Sequence, residues 1–215
     1  MKAHQYHSRL TELPAAKSTQ ASLALFDFDG TVTHKDSMFD FIRFAVGSVA
    51  FWLGLIRVSP VLIAYRMGVW VDATRAKESL LSQFFKHWPT SRFHELGQQY
   101  ALHRLPKIVR NQALARIRAH QALGHEVVIV TASIETWLRA WCDQSNISLI
   151  GSRLLETNGV ITGELLGDNC NGAEKVNRTN LLFDLYSFDQ VYAYGDTPGD
   201  WPMLNLADHA FYRVF

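Results

Sequence analysis

The chain has 215 residues, of which 48% are hydrophobic and 19% charged, and its formal net charge is +1 at pH 7. This composition is typical of a globular protein and excludes a wholly disordered one, and the near-neutral charge argues against nucleic acid as a partner. Two cysteines are too few for a disulfide framework, so we expect a reducing, cytoplasmic setting. Residues 1–20 are polar and lack the apolar core of a signal peptide, so we expect them to form a tail.

The first strong pattern is an apolar strand that ends in two carboxylates. Leu23–Phe26 is a short apolar run, as expected for a strand that is buried on both faces of a parallel sheet. Asp27 and Asp29 follow it, and side chains two residues apart on an extended segment point to the same side. Gly30 and Thr31 then allow a turn whose backbone N–H groups approach a bound anion. Because ligands of open α/β sheets bind at this end of the strands, we expect a site here.

Paired carboxylates at such a position favour one kind of chemistry. Their mutual repulsion is costly without a cation, and Mg²⁺ is usually held by one or two carboxylates together with a phosphate. One Asp can attack phosphorus to form an aspartyl-phosphate, while the other protonates the leaving oxygen and later deprotonates water. The alternative is an ordinary acidic turn after a strand, for which Asp and Gly are common residues.

An apolar helical segment comes next. We expect Ser37 to cap a helix, and the segment 44–65 to be helical and very apolar. The charge-free run 44–56 is too short to span a bilayer comfortably, and Pro60 is expected to kink or end a helix. Two interpretations remain open, namely helices packed on one another, or an amphipathic surface that touches a membrane or binds a lipid tail.

Two more helices, over 72–86 and 90–103, complete an all-helical insertion over 37–107. This insertion carries nine basic and four acidic side chains. A basic lid over an acidic site suits an anionic substrate. A solvated surface of mixed charge has the same composition and remains the alternative.

The second half of the chain alternates helices and strands. A helix over 108–123 precedes a β-branched strand over 126–130, which runs into a Thr-Ala-Ser sequence. A hydroxyl at a strand's end, followed by a helix over 134–143, can bind a phosphate oxygen together with the helix N–H groups. Taken alone, Thr131 or Ser133 is more often a plain helix cap.

Two further polar features lie near the carboxyl end. Lys175 is in the first turn of a predicted helix, where the helix dipole disfavours a cation, so its position indicates an anionic partner. A strand over 190–194 leads into Gly-Asp-Thr-Pro-Gly-Asp, which places Asp196 and Asp200 at another strand end. A plain turn is the alternative, since it uses the same residue types.

These features occur in the order and spacing of the four motifs of the haloacid dehalogenase (HAD) superfamily, which here read Asp-Phe-Asp-Gly-Thr, Val-Thr-Ala-Ser, Lys175 and Gly-Asp-Thr-Pro-Gly-Asp. The resemblance spans about residues 22–213. The chain is most similar to the phosphoserine-phosphatase-like branch (subfamily IB), whose helical cap is inserted between the first two motifs. The resemblance implies an α/β fold with a Rossmann-like, doubly wound parallel sheet. It divides the chain into a core domain (21–36 and 108–215) and a helical cap domain (37–107).

The resemblance also implies a role for each motif residue. Asp27 is implied as the nucleophile and a Mg²⁺ ligand. Asp29 is implied as the general acid/base, with its backbone carbonyl on the metal. Asp196 is implied as a metal ligand, and Asp200 as a member of the metal shell that also supports the motif lysine. The residues implied to hold the phosphoryl group are Gly30, Thr31, Thr131, Ala132 and Lys175.

The implied function is a Mg²⁺-dependent phosphatase that works through an aspartyl-phosphate. Phosphoserine phosphatases read their amino acid through an acidic residue soon after the first motif, and residues 32–39 offer only Asp36, a poor match. Some relatives with a bulky apolar cap act on phosphatidylglycerophosphate, so a small soluble phosphate ester and a lipid phosphate are both expected substrates. The lipid case implies peripheral contact of the cap with the cytoplasmic side of a membrane. The alternatives are a phosphotransferase that uses the same intermediate, and a non-catalytic protein whose cap binds a lipid or a protein partner.

Overall fold

The computed structural model describes residues 5–7, 9, 10, 13, 21–68 and 71–215. Its strands are β1 (Gln5–His7), β2 (Leu23–Phe26), β3 (Glu126–Ile134), β4 (Ser148–Ser152), β5 (Leu154–Thr157), β6 (Val160–Leu165), β7 (Val191–Gly195) and β8 (His209–Tyr212). Six of them form a parallel sheet in the order β1-β8-β7-β2-β3-β4. The other two, β5 and β6, form an antiparallel hairpin beside it.

The helices account for most of the remaining chain. They are α1 (Ser37–Val46), α2 (Ser48–Arg66), α3 (Ala73–Phe85), α4 (Thr90–His103), α5 (Asn111–Ala122), α6 (Arg139–Gln144), α7 (Ala173–Leu182) and α8 (Trp201–Leu204). The first five lie between β2 and β3, and four of these, α1 to α4, form the helical insertion that the sequence predicts. The other three alternate with strands. The predicted Rossmann-like α/β fold is confirmed. The division into a core and a cap domain at residues 37 and 107 stays a prediction.

Strand β2 lies at the centre of the sheet because both of its faces are apolar. Its four residues are fully buried and alternate between two hydrophobic clusters, one on each face. In the parallel register, Phe26 lies beside Ile129 of β3 and Tyr194 of β7. The carboxyl ends of these three strands are therefore side by side, which brings together the polar residues that follow each strand.

Strand β3 is longer than the sequence predicts. The pattern indicates a strand over 126–130 and a helix over 134–143, but the extended backbone continues to Ile134. The ladder with β4 shifts register between Val130 and Ile134. Ile134 is fully buried and pairs with Ser152, and this pairing keeps the chain extended. A short 3₁₀ turn and α6 replace the predicted helix.

Helix α2 continues through Pro60 to Arg66, so the expectation that a helix ends at this proline is wrong. Proline removes the N–H that would bond to the carbonyl four residues earlier. That carbonyl, on Ile56, instead accepts a 2.8 Å hydrogen bond from the Ser59 hydroxyl. The helix is therefore longer than the charge-free run 44–56. Within the described part of the chain, α2 is long and apolar enough to cross a membrane, and 17% of its apolar window is buried.

Helix α1 begins one residue earlier than the predicted cap implies. The cap is Asp36, whose Oδ1 accepts hydrogen bonds from the backbone N–H groups of Met38 at 2.9 Å and Phe39 at 3.2 Å. Ser37 is fully buried instead, with its contacts directed at the candidate site. A serine and an aspartate at adjacent positions are both good caps, so sequence alone does not separate them.

Part of the predicted N-terminal tail is a strand. Gln5–His7 pairs with β8 at the edge of the sheet. The half-buried His7 ring stacks on Phe211 with ring centroids 4.7 Å apart. A three-residue polar strand at an edge has no alternation of apolar residues by which it could be recognised.

Candidate active site

A cavity of about 430 Å³ lies at the carboxyl ends of β2 and β3, between the sheet edge and helices α1, α2 and α3. Asp27 and Asp29 line it, as the strand pattern predicts, and Asp27 is 7% exposed. Thr131, Ala132 and Lys175 also line it, although they are far from Asp27 in sequence. The fold thus gathers residues of the first three motifs around one volume.

Lys175 joins two buried carboxylates. Its Nζ donates hydrogen bonds to Asp27 Oδ1 at 2.5 Å and to Asp200 Oδ1 at 2.7 Å. Burial acts to lower the pKa of Lys175, but the two carboxylates outweigh it and raise that pKa above its usual value. Burial raises the pKa of Asp27 to about 7, against the opposing effect of Lys175. These carboxylates account for a lysine in the first turn of α7, where the helix dipole is unfavourable.

Gly30 lets Asp196 approach the first motif. The Thr31 hydroxyl donates a 3.1 Å hydrogen bond to Asp196 Oδ1. Gly30 has a φ of +93°, and a Cβ there would lie 2.5 Å from Asp196 Oδ2. A side chain at this position would therefore displace the carboxylate. Burial raises the pKa of Asp196, while the hydrogen bond from Thr31 acts in the opposite direction.

Asp27, Asp196 and Asp200 form an acidic cluster in which one carboxylate oxygen of each lies within 4.8 Å of the others. This all-carboxylate set fits a hard divalent cation, and its negative charge exceeds what Lys175 neutralises. Asp200 is already engaged on both oxygens, because Oδ1 contacts Lys175 and Oδ2 accepts from the N–H and the hydroxyl of Thr197, each at 2.9 Å. Asp200 therefore also positions the lysine and its own loop.

Two serines hold the Asp29 carboxylate. Its Oδ1 accepts from the Ser37 N–H at 2.7 Å, and its Oδ2 accepts from the Ser133 hydroxyl at 2.5 Å. The Ser133 proton is used in the bond to Asp29, so Ser133 Oγ accepts from the Ser37 hydroxyl at 2.9 Å. The Ser37 hydroxyl in turn accepts from Trp137 Nε1 at 3.2 Å. The sequence suggests a helix cap for Ser37, and a phosphate-binding hydroxyl or a helix cap for Ser133, so their contacts with Asp29 were not predicted from it.

Thr131 is buried at the floor of the cavity. Its Oγ1 accepts the backbone N–H of Ser133 at 3.0 Å. That contact uses a lone pair, so the hydroxyl proton remains able to donate to an anion. The unpredicted continuation of β3 is what places Thr131 and Ser133 on the same side of the chain, two residues apart.

Lys77 is a cavity residue that sequence reasoning missed. It extends from α3, and its Nζ donates to the Ala132 carbonyl and, at 2.8 Å, to Asn169 Oδ1. Burial lowers the pKa of Lys77 to about 8, while the nearby Asp29 acts to raise it. Lys77 is one of nine basic residues in the insertion, and no spacing distinguishes it from the others. Its direction follows from how α3 packs against β6 and α2.

The helical side of the cavity is mostly apolar. Asp36 and Lys77 are the charged side chains that this side contributes to the lining. The apolar residues of this wall are Met38, Phe39, Leu62, Tyr65, Ala73, Ala76 and Leu80. The cavity therefore has an acidic floor beneath a largely hydrophobic wall.

A second cavity, of about 670 Å³, lies between α4, the start of α6 and the β5–β6 hairpin. On its wall, His94 Nε2 lies 2.6 Å from Glu156 Oε1, and Arg139 donates to Glu135 at 2.7 Å. It contains none of the motif residues, so we place the candidate chemistry in the smaller cavity.

Residues 24–205 match the family of haloacid dehalogenase-like hydrolases. The chain belongs to this family. Protein CicA of Caulobacter vibrioides is 36% identical to it over 197 residues, which cover 90% of this chain and 86% of CicA. The predicted membership of the HAD superfamily is confirmed.

Solved structures share the fold of this HAD hydrolase. A protein of unknown function from Bordetella pertussis matches it with a TM-score of 0.76 and 23% identity, over 88% of each chain. A probable phosphoserine phosphatase from Vibrio cholerae matches it with a TM-score of 0.67 and 17% identity, over 92% of this chain and 57% of that one. The chain therefore has the fold of these structures, and its family is one of hydrolases.

Proposed function

We propose that this HAD hydrolase is a Mg²⁺-dependent phosphatase that cleaves a phosphate monoester through an aspartyl-phosphate on Asp27. The observation that supports it most is the contact of Lys175 with Asp27 and Asp200 beside the carboxylate of Asp196. A nucleophile and a fixed positive charge that line one cavity, with an acidic cluster beside them, are the parts that phosphoryl transfer requires.

A divalent metal suits the acidic cluster because all of its donors are oxygens. Asp27 and Asp196 would hold it, with the Asp29 backbone carbonyl as a further donor and Asp200 supporting the shell. Mg²⁺, when bound there, would neutralise charge on the phosphoryl oxygens as a Lewis acid. Lys175 supplies a second positive charge in contact with Asp27.

In the first proposed step, a carboxylate oxygen of Asp27 attacks phosphorus and the bond from phosphorus to the ester oxygen breaks. The carboxyl group of Asp29 gives its proton to the leaving oxygen, so the product is a neutral alcohol. Lys175, the Thr131 hydroxyl and the backbone around Gly30, Thr31 and Ala132 bind the phosphoryl oxygens. Such fixed donors stabilise the developing charge without reorganising during the reaction.

In the second proposed step, water replaces the alcohol. Asp29, now a carboxylate, takes a proton from water while the water oxygen attacks phosphorus. The bond from phosphorus to Asp27 breaks, which releases inorganic phosphate and restores both carboxyl groups. Ser133 and Ser37 keep Asp29 in place for both proton transfers. An alcohol in place of water would give the phosphotransferase reaction by the same route.

The substrate that suits this cavity is a phosphate monoester whose leaving group has an apolar part. The phosphate would occupy the acidic floor with the metal, and the leaving group would contact the apolar wall, including Phe39, Leu62 and Leu80. Lys77 would interact with an oxygen of the leaving group or of the phosphate. A lipid phosphate and a soluble ester with an apolar group both have this chemistry.

The experiment that tests the proposal measures phosphate release with and without Mg²⁺ from phosphoserine, hexose and nucleoside monophosphates, an alkyl phosphate and phosphatidylglycerophosphate in micelles. We expect phosphate release that depends on Mg²⁺ and is fastest from esters with apolar leaving groups. Asp27→Asn should abolish this release, and the exposed control Asp143→Asn should retain it. Release that Asp27→Asn leaves intact, or that chelation of Mg²⁺ does not affect, would contradict the proposal. Transfer of the phosphoryl group to added alcohols would indicate the phosphotransferase reaction instead.

A further inference from the structure

Helix α2 exposes a continuous apolar face, which we name the α2 stripe. Its members recur every three or four residues and so share one side of the helix. They are Val49, Trp52, Leu53, Ile56, Pro60 and Ile63. Several of these side chains are more than half exposed, among them Val49 at 76% and Ile56 at 67%. A contiguous apolar surface of this kind marks an interaction site.

The opposite face of α2 is fixed against the rest of the insertion. Phe51, Gly54 and Val58 are buried there. Gly54 packs so closely on α3 that a Cβ would lie 2.3 Å from the ring of Phe84. The stripe cannot rotate inward without breaking this contact, so its exposure is a property of the folded insertion.

Arginines border the stripe on both sides. At about 100° per residue, Arg57 lies along one edge of the stripe and Arg66 along the other. Both side chains are exposed, as is that of Arg43 at the end of the preceding helix. Residues 41–71 contain these three arginines and no acidic residue. The face therefore combines apolar area with positive charge.

We propose that the α2 stripe docks on the surface of an anionic lipid bilayer, with α2 lying in the interface. Apolar side chains entering the acyl boundary, and long basic side chains reaching the headgroups, are what an interfacial helix presents. Among the described residues no ion pair is formed by Arg57 or Arg66, and anionic lipids would supply the opposite charge. The proposal deepens the proposed function and rests on it, since it names the surface that would hold the enzyme on a bilayer that contains a lipid phosphate.

Two other occupants fit the same face less well. A second copy of the chain would bring the arginines of both stripes together, and like charges across an interface are repulsive. A membrane-spanning α2 would place Arg57, the tenth of its 19 residues, near the bilayer centre, where a charge is costly. It would also strip Phe51 and Gly54 of their contacts with α3. The interfacial orientation avoids both costs.

Docking would bring the candidate active site close to the lipid. Leu62 and Tyr65, near the carboxyl end of α2, line the wall of the cavity, while the stripe faces away from it. A single helix thus connects the apolar wall with the proposed membrane face. A lipid phosphate could place its phosphate on the acidic floor while its acyl chains remain near the bilayer.

The test is co-sedimentation of the full chain with vesicles of phosphatidylcholine alone, or of phosphatidylcholine and phosphatidylglycerol in equal amounts. The stripe variant is Trp52→Ser with Ile56→Ser, and the charge variant is Arg57→Gln with Arg66→Gln. The matched control is Leu181→Ser with Leu182→Ser, which removes two exposed apolar side chains, 82% and 66% exposed, from α7 on the core.

We expect the wild type and the control to bind the anionic vesicles and to bind phosphatidylcholine vesicles weakly. The stripe variant should bind at least about tenfold more weakly, given the apolar area that it removes. The charge variant should lose its preference for anionic vesicles, as the wild type should at high salt. Equal binding of wild type and stripe variant, or no binding by the wild type, would overturn the proposal.

Two further measurements keep the outcomes separate. The first is sedimentation velocity without lipid. A dimeric wild type and a monomeric stripe variant would overturn the proposal, because a second copy of the chain would then cover the α2 stripe. Hydrolysis of p-nitrophenyl phosphate reports on the catalytic site in every variant and should be unchanged. If no variant hydrolyses any ester, the proposed function fails while the vesicle result still decides the docking.

Discussion

The Ser133 hydroxyl donates a 2.5 Å hydrogen bond to Asp29 Oδ2, and the backbone N–H of Ser37 holds the other carboxylate oxygen at 2.7 Å. Ser133 comes from the extension of β3 and Ser37 from the first turn of α1. Asp29 is therefore fixed by two elements that meet only in the folded chain. Its place at the cavity wall is the position that the proposed proton transfers require.

Replacing Ser133 by alanine should slow turnover without abolishing it. A hydrogen bond to a charged group contributes about 1.5–3 kcal/mol, so kcat should fall roughly tenfold to a hundredfold with little change in KM. Ser133→Thr, which keeps a hydroxyl, should recover most of the rate. The exposed control Ser91→Ala should behave as the wild type, and equal kcat for both alanine variants would exclude this role for Ser133.

Lys77 should act on substrate affinity. It joins α3 to the Ala132 carbonyl and to Asn169 at the cavity wall. Lys77→Met should lower kcat/KM about tenfold, mainly through KM, while the exposed control Lys86→Met should not. Because the pKa of Lys77 is lowered to about 8, the wild type should lose affinity as the pH rises above 8 and the lysine loses its proton. Steady-state kinetics between pH 6 and 9 should show this loss in the wild type and not in Lys77→Met.

Gly30→Ala should weaken metal binding more than it weakens the fold. Gly30 and Gly124 both have positive φ values, +93° and +74°, but only at Gly30 would a Cβ meet a carboxylate, that of Asp196. Each alanine variant should lose about 1 kcal/mol of stability from backbone strain. Only Gly30→Ala should also raise the Mg²⁺ concentration for half-maximal activity, by roughly tenfold or more. An equal Mg²⁺ requirement in the two variants would show that a Cβ at position 30 does not disturb the Asp196 carboxylate.

His120 should make the protein sensitive to acid. It is fully buried, with Nδ1 at 2.8 Å from His125 Nδ1 and Nε2 at 2.9 Å from the Tyr194 hydroxyl. Burial, with contributions from His125 and Arg116, lowers its pKa from 6.5 to about 3. Below pH 6.5 the unfolded chain therefore binds a proton that the native state does not, so stability is lost as the pH falls.

The loss should reach about 1.4 kcal/mol per pH unit from this residue between pH 6.5 and its lowered pKa. Urea unfolding at pH 7, 6 and 5 measures it. His120→Asn should be less stable at pH 7 because it loses packing, but its free energy of unfolding should depend less on pH. The exposed control His103→Gln should keep the wild-type slope. An identical slope in His120→Asn would mean that other groups cause the acid sensitivity.

The parts of the site that follow strand ends were predictable. Asp27, Asp29 and Asp196 come directly after apolar runs, and parallel strands of one sheet bring their carboxyl ends to the same edge. The role of Gly30 as a turn residue was also predictable from the sequence, although its close approach to Asp196 was not. These features depend on local sequence and on the sheet register, both of which the pattern of apolar residues specifies.

The parts that depend on packing were not predictable. Ser37 and Lys77 reach the cavity because α1 and α3 pack on their neighbours in one orientation, and the sequence of either helix allows others. Pro60 fails to interrupt α2 because the Ser59 hydroxyl occupies the freed carbonyl of Ile56. Such compensation is visible only once the backbone of the helix is known.

The measurement that tests the central claim most directly is acid quenching of the enzyme during turnover of its best ester, followed by mass spectrometry of its peptides. We expect a phosphoryl group on the peptide that contains Asp27, which hydroxylamine removes and which is absent from Asp27→Asn. Phosphate release by an active enzyme whose Asp27 peptide never carries the phosphoryl group, under conditions that trap acyl phosphates, would contradict the account.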